Sequence, residues 1–229
     1  MSTYLLINFL IIIFPLVLSF DKKVAYYKNI KSVFISILLV GLVYIIWDSI
    51  AVSRGDWSFN RNFVTDYKIF NLPVEEILFF ITVPYSCIFI YEVIRSYFKE
   101  KQVLLNNSII ITGIIFLTAL AVFFNKQYYT LTVLLFSAIC LLLLLIFFRP
   151  ILKSYVYWMT IIVSYLPFFI INYFLTSLPV VEYNESAIWG IRVITIPIED
   201  FFYSYSLISF WLIVYLNAKN YLTVRTYSD

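Results

Sequence analysis

The chain has 229 residues, of which 63% are hydrophobic and only 13% charged, with a mean hydropathy of +0.93, so no single core of this size can hide its apolar surface from water and the bilayer is the expected solvent. Histidine is absent, Cys87 and Cys140 lie far apart, and there are four glycines; this excludes Ser-His-Asp catalysis, histidine metal sites, a disulfide scaffold and a glycine-rich nucleotide cradle. A net charge of +3, carried by basic residues beside apolar runs, offers no surface for nucleic acid.

Crossing a hydrocarbon layer of roughly 30 Å takes about 20 mostly apolar residues. Seven such runs are expected near residues 3–20, 32–51, 73–96, 107–124, 128–148, 154–177 and 197–217, giving an all-α integral membrane protein. The first run has no basic region ahead of it and ends in Ser19-Phe20-Asp21-Lys22 without a small-residue cleavage site, so it reads as a retained span. Basic residues in alternate connections set the direction. Lys22, Lys23, Lys28, Lys31, Arg95, Lys99, Lys101, Arg149, Lys153, Lys219 and Arg225 fall on one side, eleven against Arg54, Arg61, Lys68, Lys126 and Arg192 on the other. A cytoplasmic C-terminus follows, with loops 52–72 and 178–196 turned outward from a plasma membrane.

An internal match at a spacing of 124 residues carries Asp48 to Asn172, Asn60 to Asn184, Pro73-Val74-Glu75-Glu76 to Pro197-Ile198-Glu199-Asp200, Phe79 to Tyr203 and Tyr91 to Tyr215. Two three-helix copies, residues 1–100 and 128–229, are thus expected on either side of a connector helix in 101–127. Because three is odd, the extra helix gives both copies the same direction, the parallel repeat of some transporters.

Proline opens each matched motif at a helix start, where its missing N–H costs nothing, and two carboxylates then occupy the first turn. For a single pair, the helix dipole alone would account for them. Two pairs at matched positions, each running directly into aromatic and aliphatic residues at membrane depth, point to function. Adjacent carboxylates repel, so such a site can hold one protonated and one ionised carboxyl, as acid and base work requires. Glu75 and Glu199 are the first candidates, with Glu76 and Asp200 beside them, and Asp48 is a further intramembrane acid whose counterpart is the neutral Asn172. With no metal ligands and no nucleophile paired to a base, proton transfer to an apolar substrate is the simplest chemistry left.

Aromatic residues make up 21% of the chain. Phe79 follows Glu75 by four residues, Phe80 follows Glu76 and Tyr203 follows Glu199, placing rings on the faces of the acids. Ring faces stabilise a cation without attacking it, and Trp47, Trp57 and Trp211 are further candidates. Glu92 and Arg95, three apart, read as a local ion pair.

With these residues in hand the chain resembles the lycopene cyclase domain family of membrane-integral carotenoid cyclases, in its tandem fused form. The resemblance rests on Trp47-Asp48, Gly55-Asp56-Trp57, Pro73-x-Glu75-Glu76 and Pro197-x-Glu199-Asp200, and it spans essentially the whole chain. The second half departs from it, having Ile171-Asn172 and Leu178-Pro179 where Trp-Asp and Gly-x-Trp would stand, which implies one asymmetric site rather than two equal ones. What the resemblance implies is an intramolecular lyase or isomerase that closes the linear ends of lycopene to β-ionone rings, via γ-carotene, to give β-carotene. The implied catalytic residues are Glu75, Glu76, Glu199, Asp200 and Asp48; Phe79, Phe80, Tyr203, Trp47, Trp57 and Asn172 would contact substrate. No flavin, nicotinamide or metal is expected, the polyene arrives through membrane lipid, and a homo-oligomer is compatible with the sequence. The alternative from another class is a transporter or ion-conducting protein, in which buried acidic pairs line an ion path; a purely structural membrane subunit is a third. A Glu-Glu membrane protease would need histidines, and a retinal protein would need a lysine that residues 201–217 lack.

Overall fold

The computed structural model describes residues 2–226, with side chains to residue 223. Arg225, one of the eleven basic residues counted above, and the last residues of the second expected copy lie outside the described side chains.

The fold is all-α. Its helices are α1 (Thr3–Leu18), α2 (Ile30–Arg54), α3 (Val74–Tyr97), α4 (Asn107–Phe123), α5 (Tyr128–Ile146), the single turn α6 (Arg149–Leu152), α7 (Tyr155–Ser177) and α8 (Ile198–Thr226). A 3-10 turn, Tyr26–Asn29, leads into α2. Every run expected to cross the membrane is thus a helix, but the lengths differ. Five of them, α2, α3, α5, α7 and α8, are long and apolar enough to span a bilayer; α1 and α4, at 16 and 17 residues, are shorter. At 1.5 Å per residue those two reach about 25 Å, a little under the hydrocarbon thickness.

The central helices are α3 and α8. The first packs on α1 and α7, the second on α2 and α5, while α4 lies against α5. Polar side chains tie these contacts where lipid offers no partner. Asn8 on α1 donates to the Glu75 carbonyl at 3.0 Å and accepts from Thr82 at 2.7 Å. Pro15 leaves the Ile11 carbonyl without its helical donor, and Ser86 on α3 donates to that carbonyl at 3.1 Å. On the other central helix, Ser36 donates to the Trp211 carbonyl at 2.8 Å and Tyr44 pairs with Ser206 at 3.0 Å.

The two long loops are built alike. Hairpins β2 (Lys68–Ile69) with β3 (Leu72–Pro73), and β5 (Arg192–Val193) with β6 (Ile196–Pro197), each lead straight into a central helix. Between the loops, β1 (Trp57–Phe59) and β4 (Val181–Tyr183) pair antiparallel, Ser58 opposite Glu182. Next to this pairing Asn60 N–H donates to the Val180 carbonyl at 3.1 Å, and Asn184 N–H to the Asp56 carbonyl at 2.9 Å, the two bonds exchanging positions at the 124-residue spacing. The joined loops form a lid over one end of the bundle.

Candidate active site

Under that lid a cleft of about 60 Å³ is lined by Asp48, Glu76 and Asp200 together with the tyrosines Tyr4, Tyr129, Tyr183 and Tyr203. All three carboxyl residues are buried, none more than 8% exposed. Asp48 comes from the last turns of α2, Glu76 and Asp200 from the first turns of α3 and α8, so three helix ends converge on one space. Trp57, Phe59, Phe79 and Asn172 complete much of the wall.

Each carboxyl has its own partners. Tyr4 donates to Glu76 Oε2 at 2.6 Å. Tyr129 donates to Asp200 Oδ1 at 2.5 Å, and Tyr183 reaches both Asp200 oxygens at 3.1 and 3.0 Å. Burial, and after it the facing Asp200 carboxyl, hold the Tyr183 hydroxyl well above the ordinary phenol range, so it stays a donor. Asp48 faces Glu76 and the Trp57 indole, and its Oδ2 is buried without a hydrogen-bond partner. An unpartnered buried carboxyl oxygen is costly, and Asp48 is one of the residues that line the cleft.

The structure separates the acids that the sequence pairs. Glu75 does not line the cleft: it accepts from Ser2 Oγ at 2.6 Å, from Thr65 N–H at 2.7 Å and from Thr65 Oγ1 at 3.2 Å. Glu199 is placed the same way, accepting from Thr130 Oγ1 at 2.5 Å and from Trp189 N–H at 2.6 Å. Thr65 and Trp189 are again 124 apart. These two glutamates bind the lid loops to the helix starts, because one step along a helix turns a side chain by about 100° and Glu76 and Asp200 take the inward bearing.

A similar turn sorts the rings. Phe79 and Tyr203 line the cleft, each three residues after its inward acid, which also lies on one helix face. Phe80, four after Glu76, is buried but borders neither the cleft nor the cavity below it; it belongs to the hydrophobic core that also holds Val40, Tyr44 and Trp47 of α2. Trp47 stands one layer back, its ring 5.7 Å from Trp57, 6.0 Å from Tyr129 and 5.3 Å from Tyr203. Trp211 is buried and does not line the cleft, but it lines the apolar cavity beneath it.

Sequence reading missed Tyr4, Tyr129 and Tyr183. The first two carry a signal: both sit at the start of a span, 72 residues before Glu76 and 71 before Asp200 respectively. The motif Gly55-Asp56-Trp57 gains a physical account. Gly55 ends α2 with φ 81°, open to glycine at no steric cost, Asp56 pairs with Arg54, and Trp57 is thereby turned into the cleft wall.

Beneath the cleft, and sharing Phe79, Asn172 and Tyr203 with it, an apolar cavity of about 550 Å³ runs between α1 and α7 over α3 and α8. It falls in the usual size range of ligand sites and is lined almost wholly by apolar atoms.

A family model described as Lycopene cyclase matches residues 1–94 and 126–217. The chain belongs to the lycopene cyclase family. Carotenoid cyclisation, a lipophilic carotenoid substrate and a membrane setting come with that membership. The two matched segments hold every residue that lines the cleft, and residues 95–125, between them, contain α4. No curated protein and no solved structure is similar enough to match the chain.

Proposed function

We propose that the protein is an isomerase that closes the acyclic ends of lycopene into β-ionone rings without any redox step, giving β-carotene by way of γ-carotene. The observation that carries this reading is the meeting of Asp48, Glu76 and Asp200 in one buried, ring-walled cleft at the mouth of an apolar cavity. Two facing carboxyls in a closed site carry one proton between them more readily than two charges, so Asp48 and Glu76 serve as the acid. Their proton adds to the terminal double bond of the polyene and leaves a tertiary cation. The next double bond along the chain attacks that cation, forming the carbon–carbon bond of a six-membered ring. The ring cation then loses a proton to Asp200, whose two phenol donors suit an ionised carboxylate, and a ring double bond results. Substrate and product are isomers, so no electrons are exchanged.

The rings of Phe79, Tyr203, Trp57 and Tyr129 present their faces to the cation and shield it from water. Glu75 and Glu199 act as positioning residues that hold the lid loops on the helix starts. Trp47 acts from behind Trp57, Tyr129 and Tyr203, and Asn172 stands at the neck between cleft and cavity. In the membrane we place seven spans, α1 and α4 crossing with locally thinned lipid: a first three-helix copy in residues 1–100, a connector in 101–127 and a parallel second copy in 128–229. The cleft faces outward and the C-terminus the cytoplasm of a plasma-membrane protein. An ion path is less well supported, since the cleft acids gather at one end of the bundle, while at the other Glu92 is engaged by Arg95, Lys219 and Tyr215.

Expression in a bacterial host that makes lycopene, followed by pigment chromatography, tests the reading directly. Cyclic carotenes are expected with the native chain and none with Glu76→Gln at equal membrane level. Unchanged lycopene with the native chain would overturn it.

A further inference from the structure

The two halves treat one equivalent space differently. Between α1 and α7, over α3 and α8, lies the 550 Å³ cavity. Exchanging each helix for its partner at a spacing of 124 or 125 residues leads to the space between α5 and α2, over α8 and α3, and there rings fill it. Ile171, Ser204, Ser86 and Ile11 line or border the cavity, whereas their counterparts are Trp47, Phe80, Phe210 and Phe136. Three of them close on one another through Tyr44, whose ring lies 5.9 Å from Trp47, 5.5 Å from Phe136 and 6.4 Å from Phe210, and Phe80 is buried in the same core. At these four positions small or aliphatic side chains stand on one side and rings on the other, making one open channel, walled elsewhere by rings such as Phe168 and Trp211, and one plug.

The open side also has a door. Cavity residues Leu10 and Phe14 on α1, and Ile170 and Phe174 on α7, are about half or more exposed along the gap between the two helices. That face meets acyl chains, not water, and at its inner end the cavity shares Phe79, Asn172 and Tyr203 with the acid cleft. An occupant that enters from lipid, is apolar over its length and ends among three carboxyls fits both ends.

We infer that the α1–α7 cavity is the sole polyene channel, that it admits one end of the molecule at a time from the bilayer, and that Ser204 and Ile171 keep it open where their counterparts plug the other half. This rests on the cyclase reading and adds a consequence: after one ring closes the polyene must withdraw, and any second ring requires re-entry by the opposite end. The monocyclic carotene is therefore a released intermediate.

The test is a graded series at position 204, with Ile171→Trp as an independent block on a different helix and Val43→Phe, on the lipid face of α2, as a control. Membranes with equal amounts of each protein receive lycopene. Val43→Phe should cyclise at the native rate, Ser204→Leu more slowly than Ser204→Ala, and Ser204→Phe and Ile171→Trp at least tenfold more slowly than the native chain. Equal rates for the alanine, leucine and phenylalanine variants would overturn the channel assignment. In a second arm, labelled lycopene is followed by excess unlabelled lycopene; label should be trapped in monocyclic product. Label passing undiluted into bicyclic product would overturn entry by one end at a time. Absence of any ring from the native protein would overturn the cyclase reading instead, which separates the two failures.

Discussion

Glu75 and Glu76 are neighbours in the chain with opposite surroundings: one binds a loop through Ser2 and Thr65, the other faces Asp48 with a single phenol donor. The same division separates Glu199 from Asp200. Replacing the inward acids is therefore the more damaging change, the reverse of the order in which the motif alone ranks them. Glu76→Gln and Asp200→Asn should abolish ring formation, while Glu75→Gln and Glu199→Gln, which keep an accepting oxygen for the loop, should retain measurable turnover in pigment assays normalised to protein. Tyr4→Phe and Tyr129→Phe each remove a donor to a carboxyl, worth about 1.5–3 kcal/mol, which is roughly a ten- to hundredfold loss in rate. Initial rates on lycopene-loaded membranes check this. Phe79→Leu should be milder, since a cation–π contact contributes on the order of 0.5–2 kcal/mol, up to about thirtyfold in rate. The proline-led motif repeated at a spacing of 124 made both members of each acid pair visible in the sequence, but their bearing depends on where the helix begins to turn, and that is decided by the hairpin each helix follows.

At the scale of the element, the helices were legible because a bilayer demands long apolar runs, and all seven expected runs are helical. The hairpins were not, since two-residue strands leave no alternation to read. Their turns depend on unusual backbone: Phe70 and Asn71 have φ 50° and 64°, the mirror-image turn suited to a two-residue hairpin, and the matched turn holds Ile194 at φ 60°. A β-branched residue there is strained by roughly 1–2 kcal/mol, and Ile194 is exposed. Ile194→Gly should thus raise the melting temperature in detergent without lowering activity; a fall would show that the isoleucine side chain contributes more than its backbone costs. At the other end of the bundle, the ion pair expected between Glu92 and Arg95 forms at 2.8 Å. It extends across helices, because Lys219 on α8 reaches Glu92 at 2.7 Å and Tyr215 donates to it at 2.7 Å. Glu92→Gln removes the charge from this tie between the central helices and should cost on the order of 2 kcal/mol, seen as a lower melting temperature with the pigment profile unchanged.

For the whole molecule, the chemistry predicts where the proton comes from. A carboxyl proton exchanges with water between turnovers, so cyclisation in heavy water should place about one deuterium in each new ring, at the carbon protonated first. Mass spectrometry of the carotene reads this, and the reaction should persist after flavin and nicotinamide are removed. Rings formed without deuterium, or only with a reduced cofactor, would contradict direct transfer from these carboxyls. The sequence by itself determined the solvent, the helices, the acid-bearing motifs and their spacing, because hydropathy, proline at helix starts and a 124-residue match are local or self-referential properties. It also pointed to asymmetry, through Asp48 facing Asn172 and Trp47 facing Ile171 in the alignment. Only the tertiary structure decided that α3 packs on α7 while α8 packs on α2. That exchange of partners between the halves brings Asp48, Glu76 and Asp200 into one cleft with tyrosines from α1, α5 and β4, and it leaves a cavity on one side and a plug of rings on the other. In lipid, tail–tail and tail–protein contacts are nearly equivalent, so the pairing of helices is set by close packing and a few hydrogen bonds, and those depend on all the helices at once.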